Sequence, residues 1–235
     1  MIVSLPRALS KLGYCSRKQA EKLIIEGKVF VNGELIKDVH KRVNLNKDTI
    51  SVEDKVIAET KKIYIALNKP RGLLTTMSDE KNRQTVFQCF ASSELPYIFP
   101  VGRLDKASEG LLLFTNDTEW ANYILNPENH IEKKYHVQIN RIADEDLIKK
   151  LIEGCYDEGE FLNVKDAKII RIGKKNSWLE IVLDEGKNRH IRRLLSHFGI
   201  NVLRLIRISI GQIKLGNLAK GKFRYLTDDE IKLFK

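Results

Sequence analysis

From Gly186 to Arg224 the chain carries ten basic residues, Lys187, Arg189, Arg192, Arg193, Arg204, Arg207, Lys214, Lys220, Lys222 and Arg224, and no aspartate or glutamate. A segment of one sign and this length is electrostatically costly unless acids elsewhere in the fold, or an anionic partner, oppose it. Apolar residues interleave throughout, among them Ile191, Leu194, Leu195, Phe198, Ile200, Val202, Leu203, Leu205 and Ile206. The segment is therefore folded, and its charge is expected on a structured surface that can follow phosphates at fixed spacing. The whole chain leans the same way, with 41 Lys plus Arg against 31 Asp plus Glu and a net charge of +10. A polyanion becomes the expected partner.

Other classes fall away on simple grounds. With 235 residues there is room for one large domain or two unequal ones, each with a core. The longest apolar runs, Ile63 to Leu67 and Leu111 to Phe114, are far too short for a membrane span. The opening Met-Ile-Val-Ser-Leu-Pro-Arg has neither the basic flank of a secretory signal nor a lipidation motif, so a cytoplasmic protein with no membrane partner is expected, and the chain is taken as a monomer. Cys15, Cys89 and Cys155 are widely spaced and odd in number, which argues for reduced thiols and against a disulfide framework or metal knuckle. No phosphate-binding glycine loop occurs, and the five histidines show no tight ligand spacing. No nucleotide, metal or organic cofactor is expected.

The N-terminal stretch reads as helix, helix, hairpin. Leu5, Leu9 and Leu12 recur at helical spacing, and Ala20, Leu23 and Ile24 follow Ser16, whose side chain can form a capping box with Gln19. Gly27 can supply the left-handed residue that ends the second helix. Val29-Phe-Val31 then meets Asn32-Gly33, a strong two-residue hairpin signal, before Leu35 and Ile36. Arg7 and Lys11 lie one turn apart on the first helix, and Lys18 and Lys22 on the second, with Arg17 beside them. Like charges at that spacing repel unless an anion bridges them. The polar stretch Glu53 to Thr60 and Lys61-Lys62 mark a junction.

Beyond it, Ile63-Tyr-Ile-Ala-Leu67 is a strand-forming run that delivers Asn68-Lys-Pro-Arg-Gly72, where Pro and Gly favour a turn. Asp105 stands in a loop-like stretch bracketed by Gly102 and Gly110. Strand-like Tyr135 to Ile139 and Trp178 to Leu183 alternate with helical Glu145 to Glu153 and Arg189 to Phe198. Asp105 with Glu109 could suggest the paired acids of a glycosidase, but nothing else in so basic a chain supports a sugar site.

Two resemblances organise these signals. Arg7-Ala-Leu-Ser-Lys-Leu-Gly13, Ser16-Arg-Lys18 and Gly27-Lys-Val-Phe-Val-Asn-Gly33, within residues 4 to 50, closely resemble the S4-like RNA-binding domain. Gly102-Arg-Leu-Asp105, Glu109-Gly-Leu-Leu-Leu113, Thr115-Asn-Asp117, Lys133-Lys-Tyr-His-Val137 and Glu185-Gly-Lys-Asn-Arg-His-Ile-Arg-Arg-Leu194 resemble the pseudouridine synthases that modify ribosomal RNA, in the branch with an N-terminal S4-like domain. Val202-Leu-Arg-Leu-Ile-Arg207 and Arg224-Tyr-Leu-Thr-Asp-Asp-Glu230 fit the same closing pattern.

The resemblance implies an α+β fold. A small S4-like module over residues 1–58 and a linker at 59–62 precede a synthase domain at 63–235, built on a mixed, largely antiparallel sheet with flanking helices. It implies isomerisation of uridine to pseudouridine in ribosomal RNA or an assembly intermediate, with Asp105 as the essential carboxylate. Tyr135 inherits the place of the aromatic that stacks on the target base. Lys187 inherits that of a basic residue set against Asp105, keeping the carboxylate charged and oriented. Arg103 inherits a part in extruding the uridine from its stack. Arg7, Lys11, Arg17, Lys18 and Lys22 are expected to contact RNA, and in the second domain Arg189, Arg192 and Arg193 are assigned to RNA backbone contact or packing around the site and not to chemistry. Two positions depart from the commonest wording: Ser108 stands where Thr is more usual, and His190 where Gln is more usual. The rival reading is a noncatalytic RNA-binding or ribosome-assembly factor that keeps the fold, against which the trio Asp105, Tyr135 and Lys187 argues.

Overall fold

The computed structural model describes residues 1–77, 79 and 81–234, so Lys235, the last residue of the expected catalytic domain, lies outside the described residues. The chain forms two compact units. The first takes in Met1–Ile63 together with Ser93–Phe99 and Thr115–Thr118, and the second takes in the rest.

In the first unit, β1 (Ile2–Ser4) leads into α1 (Leu5–Lys11) and α2 (Arg17–Ile25). The capping box forms as its spacing requires: Ser16 Oγ accepts from the Gln19 backbone at 3.1 Å, and Gln19 Oε1 accepts from the Ser16 backbone at 3.0 Å. Gly27, at φ +71°, follows the end of α2. Strands β2 (Val29–Val31) and β3 (Glu34–Ile36) pair antiparallel across Asn32 and Gly33, whose φ values of +52° and +84° are those of a primed hairpin turn. Strand β4 (Arg42–Asn44) pairs with β1, while β5 (Ile50–Val52) and β6 (Lys55–Val56) complete a sheet in the order β3-β2-β5-β6. Leu5, Leu9, Ala20, Ile24, Val29 and Ile50 form the core. The stretch expected as a linker is anchored: Asn116 accepts from the Ile63 backbone at 2.8 Å and donates to the Lys61 carbonyl at 2.9 Å and to Thr60 Oγ1 at 3.1 Å.

The second unit is built on a nine-stranded sheet. In chain order its elements are β7 (Tyr64–Lys69), β8 (Phe99–Val101), β9 (Glu109–Thr115), α3 (Thr118–Leu125), β10 (Lys133–Ile139), α4 (Glu145–Glu153), β11 (Cys155–Asp157), β12 (Glu160–Leu162), β13 (Asp166–Ile172), β14 (Ser177–Leu183), α5 (His190–His197), β15 (Val202–Ile210), β16 (Ile213–Lys214), β17 (Phe223–Tyr225) and α6 (Asp228–Lys232). The sheet runs β13-β14-β10-β15-β9-β7-β17, with β16 on β15 and β8 on β9, and β11 and β12 form a separate hairpin. The sheet is mixed and largely antiparallel, with β9 parallel to β15. Every residue of β9 is buried, as a strand covered on both faces must be. Gly110 makes the β9–β15 approach possible, because a Cβ there would lie 2.3 Å from the Arg207 carbonyl oxygen. Leu147 and Leu151 of α4 and Ile191, Leu194 and Leu195 of α5 pack with Val137, Ile139, Leu179 and Ile181 of the sheet. Among the described residues no helix is long and apolar enough to cross a membrane.

Candidate active site

Asp105 lies in the loop between β8 and β9, and each carbonyl from Leu104 to Ser108 is held. Lys69, the last residue of β7, is fully buried, and its Nζ donates to the carbonyls of Asp105 (3.2 Å), Ser108 (2.8 Å) and Pro70 (3.1 Å). The Thr75 hydroxyl donates to the Leu104 carbonyl at 2.8 Å, and the Gly72 backbone donates to that of Lys106 at 2.7 Å. Arg192 Nη2 reaches the Ala107 carbonyl at 3.4 Å. A loop whose polar groups are satisfied this way has little freedom, so the carboxylate it carries is preorganised. Burial pushes the Lys69 ammonium down to about 8, the charges of Asp105 and Glu109 opposing that fall.

The Asp105 carboxylate, about one-third exposed, opens onto a cavity of about 370 Å³, within the range of small-ligand sites, roughly 300–1,000 Å³. Arg103, Tyr135, Lys187, Arg189 and Arg192 also line it. Tyr135 is half-buried and packs against the domain core, held where the β10–β15 register shifts by a residue. Arg103 is exposed.

The cations nearest Asp105 correct the sequence reading. Arg189 Nη1 and Arg192 Nε each lie 3.8 Å from Asp105 Oδ2. Lys187, expected against Asp105, instead donates to Glu185 and to the Phe161 carbonyl, both at 2.7 Å. An acid two residues away and an available carbonyl capture the ammonium before it reaches the loop. Arg192, expected on RNA backbone or packed around the site, is largely buried, with Nη1 on the Val202 carbonyl at 3.3 Å and its Nε without a hydrogen-bond partner. Burial pushes its guanidinium down and Asp105 opposes this. Arg189 sits at φ +50°, a left-handed conformation uncommon for a side-chain-bearing residue, at the start of α5. Arg193, also expected on RNA backbone or packed around the site, is engaged within the protein: it bonds Asp157 and Glu160 of the β11–β12 hairpin, both at 2.5 Å.

Two further acids and bases are spoken for. Burial works against the charge of Glu109, yet Arg204 at 3.1 Å and Lys220 at 2.6 Å hold its carboxyl below the usual range. It cannot serve as the protonated half of a glycosidase pair. Burial pushes the His190 imidazolium down, so the ring is neutral near pH 7. Its Nε2 lies 2.8 Å from the Asn163 carbonyl, which only accepts, so Nε2 carries the proton. Ser108, at the other unusual position, is buried, and its hydroxyl has no hydrogen-bond partner.

In the first unit, Arg7, Arg17, Lys18 and Lys22 are exposed and Lys11 is half-buried. Lys22 pairs with Glu26 at 3.7 Å. The sequence reading missed Lys69, whose burial depends on strand order, and the loop role of Arg192. The run Asp157-Glu-Gly-Glu160 was the available sign that Arg193 has an internal partner.

Residues 63–197 match the RNA pseudouridylate synthase family model, and residues 3–49 match the S4 domain. A protein of Aquifex aeolicus (strain VF5), described as an uncharacterized RNA pseudouridine synthase, is 39% identical over 236 residues, covering 100% of this chain and 95% of its own. The ribosomal large subunit pseudouridine synthase B of Bacillus subtilis (strain 168) is 35% identical over 232 residues, covering 97% and 93%. A crystal structure of a pseudouridylate synthase superposes with a TM-score of 0.68 at 29% identity, covering 99% of this chain and 100% of that one.

Proposed function

Because the chain belongs to the RNA pseudouridylate synthase family and carries an S4 domain, we propose that it acts on ribosomal RNA and that Asp105 is the essential carboxylate of the reaction. The protein is an RNA pseudouridine synthase. The reaction breaks the bond from uracil N1 to ribose C1′, turns the base and joins C5 to C1′; C5 loses a proton and N1 gains one. No redox partner or group donor enters.

The observation that carries the assignment is the Asp105 loop itself, clamped by Lys69, Thr75, Gly72 and Arg192, with its carboxylate at a cavity that also takes in the Tyr135 ring. Arg189 and Arg192, each 3.8 Å from Asp105 Oδ2, set positive charge beside the carboxylate. Tyr135 stacks on the flipped base, and Arg103, exposed at the same cavity, assists its extrusion. Ribosomal RNA is favoured by the name of the Bacillus subtilis relative. Residues 1–58 act as the RNA-gripping module through Arg7, Lys11, Arg17, Lys18 and Lys22, residues 59–62 join it on, and residues 63–235 perform the chemistry. Lys187 shapes the cavity wall through Glu185.

A pseudouridine map of ribosomal RNA from cells with and without the gene tests this reading. One site should vanish and return when the wild-type gene is restored. An unchanged map would remove ribosomal RNA as the substrate.

A further inference from the structure

Lys133 and Arg207 line the same cavity as Asp105 and Tyr135. Strand register puts them there. Arg207 stands opposite Tyr135 across β15 and β10, and Lys133 stands opposite Leu183 on β14 and Ile210 on β15. Between Lys134 and Tyr135 the β10 strand advances one residue while β15 advances two, from Ser209 to Arg207. That bulge lets Arg207 and Ser209, two apart in sequence, belong to different faces.

Neither cation is fully satisfied. Arg207 is 6% exposed, its Nε fixed on the Leu111 carbonyl at 2.8 Å, and its Nη2 is buried without a hydrogen-bond partner. Lys133 Nζ reaches the Asp184 carbonyl at 3.5 Å, the limit of a hydrogen bond. Burial, and then the charge of Arg207, push the Lys133 ammonium down, while the Asp184 carboxylate, 3.7 Å from His130, opposes them. Two like charges that line one cavity and repel each other make a wall suited to an anion.

We propose that Lys133 and Arg207 bind the uracil ring while it is an anion, holding its carbonyl oxygens between the breaking of the old bond and the making of the new one. This rests on the reading above. When N1–C1′ breaks heterolytically, the electron pair stays on the base and spreads from N1 onto O2 and O4, and C1′ is left as an oxocarbenium in the cavity that Asp105 lines. C5 then attacks the C1′ cation, the C5 proton passes to water and N1 takes a proton from water, which restores the neutral base. Donors fixed where charge develops favour the transition state over the bound substrate.

The test uses the full-length protein in single turnover on a ribosomal RNA transcript carrying the site that it modifies. Lys133→Met should slow pseudouridine formation by roughly 10²-fold, with RNA affinity within a few-fold. With 6-azauridine at the target, whose base is the more acidic leaving group, the same substitution should slow N1–C1′ cleavage several-fold less. Barbiturate, a pyrimidine that is anionic at neutral pH, should compete with RNA better than neutral uracil does. Lys133→Met should erase that preference, and the milder Arg207→Lys, which keeps a cation but loses the guanidinium fork, should weaken it. Arg207→Met is avoided because it would strand the buried Leu111 carbonyl. Equal slowing on both nucleosides, a loss carried by RNA affinity, or indifference of the wild-type protein to barbiturate each overturns the proposal. A wild-type protein that forms no pseudouridine in ribosomal RNA would instead overturn the parent reading.

Discussion

At the scale of single residues, the charge that faces Asp105 comes from Arg192 and Arg189, and Lys187 turns to Glu185. Arg192 does two things at once: its Nε opposes the carboxylate and its Nη2 holds the carbonyl of Ala107 in the same loop. Removing it takes away a charge and a tether together. Arg192→Met should therefore lower the single-turnover rate by roughly 10²-fold, whereas Lys187→Met should stay within a few-fold, and rapid-quench measurements on the same RNA would rank the two. A larger loss at Lys187 would restore the partner that the sequence suggested. Sequence alone could bring Asp105, Tyr135 and Arg103 to one site through their motif phrases, and the cavity contains all three. It could not rank the four cations from Lys187 to Arg193, because a one-residue change in helix phase decides which of them points at the loop.

The elements show the same division between local and distant information. The capping box of α2, the primed turn at Asn32-Gly33 and the helix after Arg189 follow from neighbours in sequence, and all were legible. The parallel β9–β15 pair and the bulge at Ile208 are set by strands far apart in the chain, and no short period announces them. Lys69 belongs to this second kind. Its three carbonyl acceptors match the three N–H groups of an ammonium, and a neutral amine offers only two. As pH rises through about 8 one acceptor is left unmet, and the Asp105 loop should loosen and the rate decline. The stability sign runs the other way. The folded value of about 8 lies below the ordinary 10.5, so between those limits the unfolded chain holds a proton that the folded protein has released. Stability from this group therefore rises with pH across that window. Urea unfolding of both the wild type and Lys69→Met at pH 7 and pH 10 should show the wild type gaining stability relative to Lys69→Met as pH rises. Parallel shifts in the two proteins would remove Lys69 as its source.

Over the whole molecule, the acid-free segment from Gly186 to Arg224 finds most of its counter-charge in other parts of the chain. Asp105 serves Arg189 and Arg192, Asp157 and Glu160 serve Arg193, Glu109 serves Arg204 and Lys220, and Glu230 serves Arg224. The expectation of a phosphate-tracking surface along that segment is corrected accordingly: much of its charge braces the catalytic unit. Exposed Arg7, Arg17, Lys18 and Lys22 on the helices of the first unit remain well suited to gripping RNA. The two units should then fail differently when mutated. The most direct test measures, for each variant, both RNA affinity and the single-turnover rate at saturating ribosomal RNA. Asp105→Asn keeps the shape of the side chain and removes its charge, so pseudouridine formation should cease while affinity stays within a few-fold. Reversing Arg17 and Lys18 to glutamate should weaken binding and leave the saturated rate nearly unchanged. An Asp105→Asn protein that binds poorly but converts each bound RNA at the wild-type rate would contradict the assignment of the chemistry to this carboxylate.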